Sequence, residues 1–321
     1  MDRANTLVTI FGGSGFLGTQ LVQLLARQGY RIRVAVRRPD LAGHLKPLGA
    51  VGQIQPIQAN IRNADSVMRA VKGSAIVVNL VGIRFERGQQ QFRAVQTMGA
   101  RTVAEAASRA GAEVLVHLSA IGADEASGSG YARSKALGEA DVLAAFPQAV
   151  IIRPSILFGP GDDFFNMHAG LARLFPVLPL IGGKSRFQPI YVGDAAEALL
   201  AAIEGKVKTG TIYEIGGPEV LTHRQIVERV LQETQRHNPL IPVPTAIAKL
   251  MALPFALLPF DPLLTSDQVD LLEKDNVVSD AAIHEGRGLA AFGITPTPLD
   301  AILPSYLWRF RKNGQFDRQP V

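Results

Sequence analysis

Tyr131 and Lys135 are the two residues whose types and spacing most directly suggest chemistry. They lie four positions apart in the sequence YARSK, so on a helix both side chains project from the same face. A phenol and an amine held together in this way can support proton transfer. Because the same spacing also occurs on ordinary helix surfaces, the surrounding elements must decide whether it is a catalytic pair, a relic of one or a surface pattern.

The composition is that of an ordinary globular protein, with 321 residues, of which 47% are hydrophobic and 19% charged. This length favours a large α/β domain with a smaller appendage. The chain has no cysteine, which excludes disulfides and thiolate nucleophiles, and its six histidines lack the spacing of metal ligands. We therefore predict no metal site.

Charge and hydropathy narrow the classes of partner. The net charge of +5 is spread along the chain, apart from the pair Arg37 and Arg38 and the tail at 308–318, and this favours a solvated surface over a nucleic-acid-binding face. The first residues enter a strand-like run without the features of a signal peptide. No apolar run reaches the roughly 18–20 residues that a membrane span needs.

Short runs rich in β-branched residues alternate with helical stretches in the first half of the chain. The predicted strands cover residues 6–12, 31–37, 54–60, 75–82, 114–120 and 149–155. The predicted helices cover residues 16–29, 63–73, 92–111 and 132–146. This alternation predicts an α/β fold with a Rossmann-type doubly wound parallel sheet. Ligands of such sheets bind at the carboxyl ends of the strands.

The alternation breaks after Ser155, where Gly, Pro and Phe become frequent. We expect a dinucleotide-binding domain at 1–158 and a smaller mixed C-terminal region at 159–321. Residues 187–217 are expected to return to the sheet, because they contain further strand-like runs and a helix. Thr222 is the expected N-cap of the following helix.

The sequence GGSGFLG joins the first predicted strand to the first predicted helix. Gly12, Gly15 and Gly18 are spaced so that a tight turn brings a pyrophosphate close to backbone amides, while the helix N-terminus supplies partial positive charge. A glycine pattern alone is weak support, but here it lies in the required strand–turn–helix context. The sequence therefore predicts dinucleotide binding.

The second predicted strand ends in AVRRPD, and this end distinguishes NAD from NADP. An acidic residue there would bond the ribose 2′-hydroxyl, whereas arginine accommodates a 2′-phosphate. Val36 stands where the acid could be, and Arg37 and Arg38 follow. Since a guanidinium forms charge-assisted bonds with phosphate, the sequence predicts NADP(H), with Arg37 favoured over Arg38.

Four motifs in order, GGSGFLG, NLVG (79–82), YARSK and RPSILFGPGD (153–162), resemble those of the extended and atypical short-chain dehydrogenase/reductases. The resemblance implies that Tyr131 is the general acid/base and that Lys135 bonds the nicotinamide ribose and lowers the pKa of Tyr131. It also implies cofactor contacts from Gly12, Gly15, Phe16, Leu17, Gly18, Arg37, Arg38, Asn60, Ile61, Asn79, Val81, Gly82, Ser119 and Pro154.

One departure from that family concerns the hydroxyl that orients a substrate carbonyl. The fifth predicted strand ends in HLSAIGAD, where Ser119 lies at the strand end and Ala120 and Ile121 carry no hydroxyl. Ser119 is either a displaced catalytic hydroxyl or a strand-end hydroxyl bonded to backbone. The resemblance then implies that Tyr131 and Lys135 persist as a cofactor clamp.

Four longer segments extend the likeness over nearly the whole chain, namely HLSAIGADEASGSGYARSKALGE, FQPIYVGDAAEALLAAIE, LTSDQVDLLEKDNVVS and PSYLWRFRKNGQF. They resemble, more closely, the short-chain-dehydrogenase-like accessory subunits of respiratory complex I in their bacterial form. That likeness implies an NADPH-binding structural or assembly subunit with little or no turnover, bound peripherally on the cytoplasmic side of the inner membrane. The alternatives are an active NADP-dependent reductase or sugar-nucleotide epimerase/dehydratase, and an NADPH sensor that changes partners with occupancy.

The C-terminal region is expected to dock onto complex I subunits. Residues 246–264 are either a Pro-broken helix that covers the core or an interfacial element against lipid or a membrane subunit. Residues from Leu264 onward are expected to serve chiefly for docking, with Trp308 and Phe310 as anchors. The alternative is that Trp308 packs on its own domain.

Overall fold

A seven-stranded parallel sheet lies at the centre of the computed structural model, which describes residues 2–254, 262, 264–312 and 314. The described strands are β1 (Leu7–Phe11), β2 (Arg31–Val36), β3 (Ile54–Gln58), β4 (Ile76–Asn79), β5 (Val114–Leu118), β6 (Val150–Pro154), β7 (Leu157–Phe158), β8 (Leu178–Leu180), β9 (Arg186–Phe187), β10 (Ile190–Tyr191), β11 (Ile212–Ile215), β12 (Leu221–Thr222) and β13 (Leu240–Pro242). The large sheet has the order β11-β6-β5-β4-β1-β2-β3. The strand order reverses at β1, which lies between β2 and β4 and is parallel to both. The predicted doubly wound sheet is therefore confirmed.

Helices cover both faces of this sheet. The described α-helices are α1 (Phe16–Arg27), α2 (Ala64–Val71), α3 (Met98–Arg109), α4 (Gly130–Ala145), α5 (Phe164–Leu174), α6 (Val192–Ile203), α7 (His223–Glu233), α8 (Thr245–Ala252), α9 (Ser266–Leu272), α10 (Asp280–His284), α11 (Leu299–Ile302) and α12 (Pro304–Leu307). Helix α1 packs against α6, while α2, α3 and α4 share a buried apolar cluster with the strands. Because the central strands are buried on both faces, they are continuous apolar runs in the sequence.

The sheet belongs to the first of two compact units. Unit 1 comprises Met1–Pro154, Val192–Ile215 and Ser279–Thr295, and unit 2 comprises the stretches between and after them. Strand β11 therefore joins unit 1 by pairing with β6. The return of 279–295 to unit 1 is a feature that the sequence analysis does not predict, because this stretch contains one short α-helix, one 3₁₀ turn and no strand.

Unit 2 is built around three two-stranded sheets, β10-β7, β12-β9 and β13-β8. Thr222 caps α7 as predicted, and it does so in a capping box with Gln225. The largest buried cluster of unit 2 packs α5, α7, α11 and α12 together.

The C-terminal tail is part of that cluster. Tyr306 and Leu307 are buried in it, and the Tyr306 hydroxyl donates to Asp162 Oδ2 at 2.6 Å. Phe310 packs against the same cluster, and its carbonyl accepts from the Arg236 guanidinium. Tyr306, Leu307 and Phe310 therefore help to build the core of unit 2, whereas docking through the C-terminal region stays a prediction.

Helix α8 forms the first part of the segment 246–264, for which the sequence left two alternatives, and one face of this helix packs on the core. Ala248 and Ala252 are buried, whereas the outward side chains are apolar and exposed, namely Ile247, Leu250, Met251 and Leu253. Residues 255–261 and 263 of the segment lie outside the described residues. No helix of the described residues is long and apolar enough to cross a membrane.

We predict that Leu307→Ala lowers the free energy of unfolding by about 2–5 kcal/mol, because it leaves a cavity in the buried cluster of unit 2. Chemical denaturation of the full-length chain measures this change. The matched control is Leu174→Ala, since Leu174 is 70% exposed in the same unit and its removal should change little. Equal effects of the two substitutions would contradict the structural role of the tail.

Candidate dinucleotide site

The glycine loop lies at the carboxyl end of β1, packed closely against its neighbours. Gly12 has a φ of +80°, which a residue with a side chain rarely adopts. A Cβ atom on Gly12 would lie 3.2 Å from the Leu80 carbonyl carbon, and one on Gly18 would lie 2.5 Å from the Gly12 oxygen. The glycines therefore let the loop, the first turn of α1 and the end of β4 come together without side chains between them.

The first turn of α1 is open to an anion. Gly15 is its N-cap, so no side chain accepts from the first amides, and the turn contains no acidic residue. Phe16 is half-buried, while Leu17 and Gly18 are buried against the sheet. The backbone N–H groups and the positive end of the helix are the features that bind pyrophosphate in such loops.

The loops after β2 and β3 form the predicted adenine side. Arg37 and Arg38 are both exposed, and Arg38 forms an ion pair with Asp40 at 3.0 Å. Arg37 has no hydrogen-bond or ion-pair partner among the described residues, which leaves its guanidinium available. Asn60 is held in the neighbouring loop by accepting from the Arg62 amide, and Ile61 is buried.

Asn79 at the end of β4 links that strand to β5. Its Oδ1 accepts from the Val81 amide at 3.1 Å, so its Nδ2 is the atom that donates to His117 Nδ1 at 3.2 Å. The proton of the His117 ring then lies on Nε2. Burial, together with the nearby Lys135 ammonium, lowers the pKa of His117 to about 3, so this histidine is neutral.

Helix α4 brings Tyr131 and Lys135 to the same edge. The Lys135 ammonium lies 5.9 Å from the centre of the Tyr131 ring and donates to the Leu118 carbonyl at 3.1 Å. A Cβ on Gly82 would lie 3.5 Å from Nζ, so the ammonium lies beside the loop after β4. Burial lowers the pKa of Lys135 to about 8, an effect that Glu139 opposes.

The position of α4 depends on residues that the sequence analysis missed. A π-helical turn at Arg93–Thr97 precedes α3, and a Cβ on Gly138 would lie 2.3 Å from the Gln96 carbonyl oxygen. The Gln96 side chain accepts from the Ile83 amide and donates to Ser134 Oγ at 2.8 Å. The helix can approach this closely only because position 138 has no side chain, so the glycine inside α4 was the available clue.

A second set of missed residues anchors the other side of α4. Arg153 on β6 makes two bonds to Glu139, at 2.8 and 2.6 Å, and a third to Glu214 on β11. Glu214 in turn accepts from the Ser279 amide. Because Glu139 lies one turn after Lys135, this ion-pair network also supplies the negative charge that keeps the ammonium protonated.

Ser119 lies directly after β5, and its contacts do not agree with one of the two alternatives given for its hydroxyl. Its amide donates to the Ile152 carbonyl, while its buried Oγ has no hydrogen-bond partner among the described residues. The alternative of a hydroxyl bonded to backbone is therefore not observed. Ala120 and Ile121 follow, and Ile121 donates its amide to the carbonyl of Pro154 at the end of β6.

The predicted site residues thus lie at the carboxyl ends of β1 to β6, and we tested whether they suit a dinucleotide. Three buried side-chain atoms lack partners among the described residues: Arg62 Nε, His117 Nε2 and Ser119 Oγ. All three belong to β5 or to loops at this edge, where unpaired polar atoms are otherwise costly. Together with the glycine cradle and the buried Lys135 cation, they fit a polar, anionic ligand that spans the edge.

The fold and this edge define a nucleotide-binding α/β protein, and comparison with known proteins gives its family. The chain belongs to the NAD dependent epimerase/dehydratase family, whose model matches residues 8–216. The resemblance to extended short-chain dehydrogenase/reductases is therefore confirmed.

The sequence similarity to known relatives extends over both units. It is 33% identical to the NADH dehydrogenase [ubiquinone] 1 alpha subcomplex subunit 9 of Mus musculus, over 92% of this chain and 78% of the relative. The same subunit of Arabidopsis thaliana is 33% identical over 96% of this chain and 79% of the relative. The ceramide reductase of Caulobacter vibrioides is 38% identical, over 62% of this chain and 61% of the relative.

Solved structures of low identity share the fold. The structure of gox2253 has a TM-score of 0.71 and 22% identity, covering 97% of this chain and 99% of that one. The NADPH-dependent quinone oxidoreductase QOR2 of Escherichia coli, complexed with NADPH, has a TM-score of 0.71 and 18% identity, covering 94% and 98%. MoeE5 in complex with UDP-glucuronic acid and NAD has a TM-score of 0.68 and 18% identity, covering 94% and 97%.

We predict that affinity for NADPH falls as the pH rises above about 8, because Lys135 then loses the positive charge that attracts the ligand. The fall should reach about tenfold per pH unit, as for the loss of one proton. Equilibrium titration of NADPH fluorescence between pH 7 and 10 measures it.

The control is Lys135→Met, which should bind weakly and without this pH dependence. The stability of the nucleotide-free protein should change with pH in the opposite direction to the affinity. The reason is that Lys135 has a pKa of 10.5 in the unfolded chain and about 8 in the folded protein. Its free energy of unfolding should therefore rise with pH in that window relative to Lys135→Met. A wild-type affinity that is flat up to pH 10 contradicts the role given to Lys135.

Proposed function

We propose that this chain is an NADPH-binding accessory subunit of respiratory complex I with little or no turnover. The observation that carries the proposal is the 33% identity to a subunit of NADH dehydrogenase [ubiquinone] over 96% of the chain. This identity includes unit 2, whose residues carry none of the nucleotide contacts. We place the protein peripherally on the cytoplasmic side of the inner membrane of a bacterium.

The choice of NADPH depends on the end of β2. Arg37 is exposed and without a partner among the described residues, and no acidic residue precedes it at that strand end. A 2′-phosphate would gain a charge-assisted contact there. A nucleotide that binds only the folded chain also stabilises it in proportion to the logarithm of its concentration, which is a sufficient role for a structural cofactor.

Low turnover is supported by the end of β5. Tyr131 and Lys135 are adjacent, but Ala120 and Ile121 provide no hydroxyl to orient a carbonyl. Ser119 carries the remaining hydroxyl, and it is buried at the strand end. A proton donor without a group that positions the substrate would retain cofactor contacts while contributing little rate.

The second candidate function is an active NADP-dependent reductase or sugar-nucleotide epimerase/dehydratase. The 38% identity to a ceramide reductase over 198 residues favours it, together with the retained Tyr131 and Lys135. In this alternative, Ser119 would be the displaced hydroxyl and its unpaired Oγ would meet the substrate.

We place the docking surface on unit 2. Strand β13 pairs with β8, and Asn238 donates to the Phe175 carbonyl, so Phe175 and Ile241 lie on neighbouring stretches. Both are at least half exposed, as is the outward Leu250 of α8. Exposed apolar side chains in this number are typical of surfaces that meet a protein partner or lipid headgroups.

Arg37→Asp tests the cofactor. We expect it to reduce affinity for NADPH by at least about tenfold while leaving NADH affinity equal or higher, because an acid repels the 2′-phosphate but can bond the 2′-hydroxyl. Calorimetric titration with both nucleotides measures the preference. The control is Arg38→Asp, which should have the smaller effect, and equal wild-type affinities for the two nucleotides would refute the assignment.

Complementation tests the subunit role. Deleting the gene should reduce assembled NADH–quinone oxidoreductase in membranes, and the Tyr131→Phe allele should restore it, since only a hydroxyl is lost. NADH–quinone activity per unit of membrane protein is the measurement. If Tyr131→Phe instead abolishes an NADPH-dependent reaction of the purified protein, the reductase alternative is correct.

A further inference from the structure

The connection between β4 and α3 contains a small hairpin that the proposed site does not yet use. Arg87 and Gln90 pair through both backbone amides, each at 2.9 Å, around Gly88, whose φ is +55°. Glu86 closes the base of this hairpin by accepting from the Phe92 amide at 2.7 Å. We call residues 86–92 the β4 hairpin.

Contacts at two places fix the β4 hairpin across the carboxyl edge of the sheet. On the β3 side, Arg62 Nη1 donates to the Gln89 carbonyl at 2.9 Å and to its Oε1 at 3.3 Å. On the α4 side, Phe92 meets the Tyr131 ring edge-on, with centroids 5.8 Å apart. The hairpin therefore connects the loop after β3 with the residue at the opposite end of the candidate site.

Arg62 makes these bonds from a half-buried position beside the loop after β3. It follows Asn60 and Ile61, whose loop lies beside the end of β2, because Ala59 donates its amide to Val36. Its Nε is buried without a partner among the described residues, although Nη1 makes both bonds to Gln89. A buried N–H without a hydrogen-bond partner costs free energy. We therefore expect the bonds between Arg62 and the hairpin to bring another gain in free energy that offsets this cost.

We propose that the β4 hairpin is a clasp that retains a bound dinucleotide and that Arg62 is the positioning residue that fastens it. The proposal rests on dinucleotide binding at this edge. The glycine loop would hold the pyrophosphate, and the hairpin connects the loop after β3 with Tyr131. Opening the clasp requires the Arg62–Gln89 bonds to break, so these bonds slow dissociation more than they change association.

The test measures release of NADPH, and separately NADH, from the full-length protein by stopped-flow fluorescence with excess unlabelled competitor. Arg62→Gln should release the nucleotide about tenfold faster, the change expected for losing a charged hydrogen bond. The association rate and the melting temperature of the nucleotide-free protein should stay unchanged. Arg62→Lys retains a cation that can reach the Gln89 carbonyl, and it should restore most of the retention.

Arg101→Gln is the matched control, since this exposed arginine on α3 donates to Glu105 at 2.7 Å, and the variant should release the nucleotide at the wild-type rate. Release at the wild-type rate from Arg62→Gln overturns the clasp. Faster release also overturns the clasp if the melting temperature of nucleotide-free Arg62→Gln falls below that of the wild type, because Arg62 then has a structural role only. A wild-type protein that binds neither nucleotide overturns dinucleotide binding itself, and the clasp with it.

Discussion

The buried ammonium of Lys135 is the interaction on which the rest of the site depends. A cation at this depth is costly unless charge and hydrogen bonds compensate it. The Leu118 carbonyl accepts from it directly, and Glu139, held by Arg153, supplies negative charge one helical turn away. Burial, together with the charge of Lys135, lowers the pKa of His117 and keeps it neutral, which allows the Asn79–His117 bond that joins β4 to β5. The ion pairs of Arg153 with Glu139 and Glu214 thus support the candidate site indirectly, through the charge near Lys135.

The sequence was sufficient to predict this sheet because its strands are rich in apolar and β-branched residues and helical stretches separate them. All six predicted strands of the first half contain the observed ones, and helix α1 begins at Phe16 directly after the glycine loop, as expected. The site residues carried by short motifs, such as Gly12 and Lys135, could be located because their spacing has a local physical reason. Their shared edge followed from parallel topology alone.

Long-range pairings could not be predicted in the same way. Arg153 meets Glu139 and Glu214 from three different elements, and nothing local to any of them specifies the partner. The packing of the tail could not be predicted for a similar reason. Nothing local to Tyr306 specifies that its hydroxyl reaches Asp162, which is 144 positions away.

In the proposed function, a reductase-like nucleotide site has become a structural element of a membrane-bound assembly. The most direct test is to purify the tagged wild-type chain from native membranes in mild detergent and to determine its co-migrating proteins and bound nucleotide. We expect co-migration with NADH–quinone oxidoreductase, and NADP(H) in equal amount to the chain, retained through purification. A protein that migrates alone and turns over NADPH with a small-molecule substrate would contradict it.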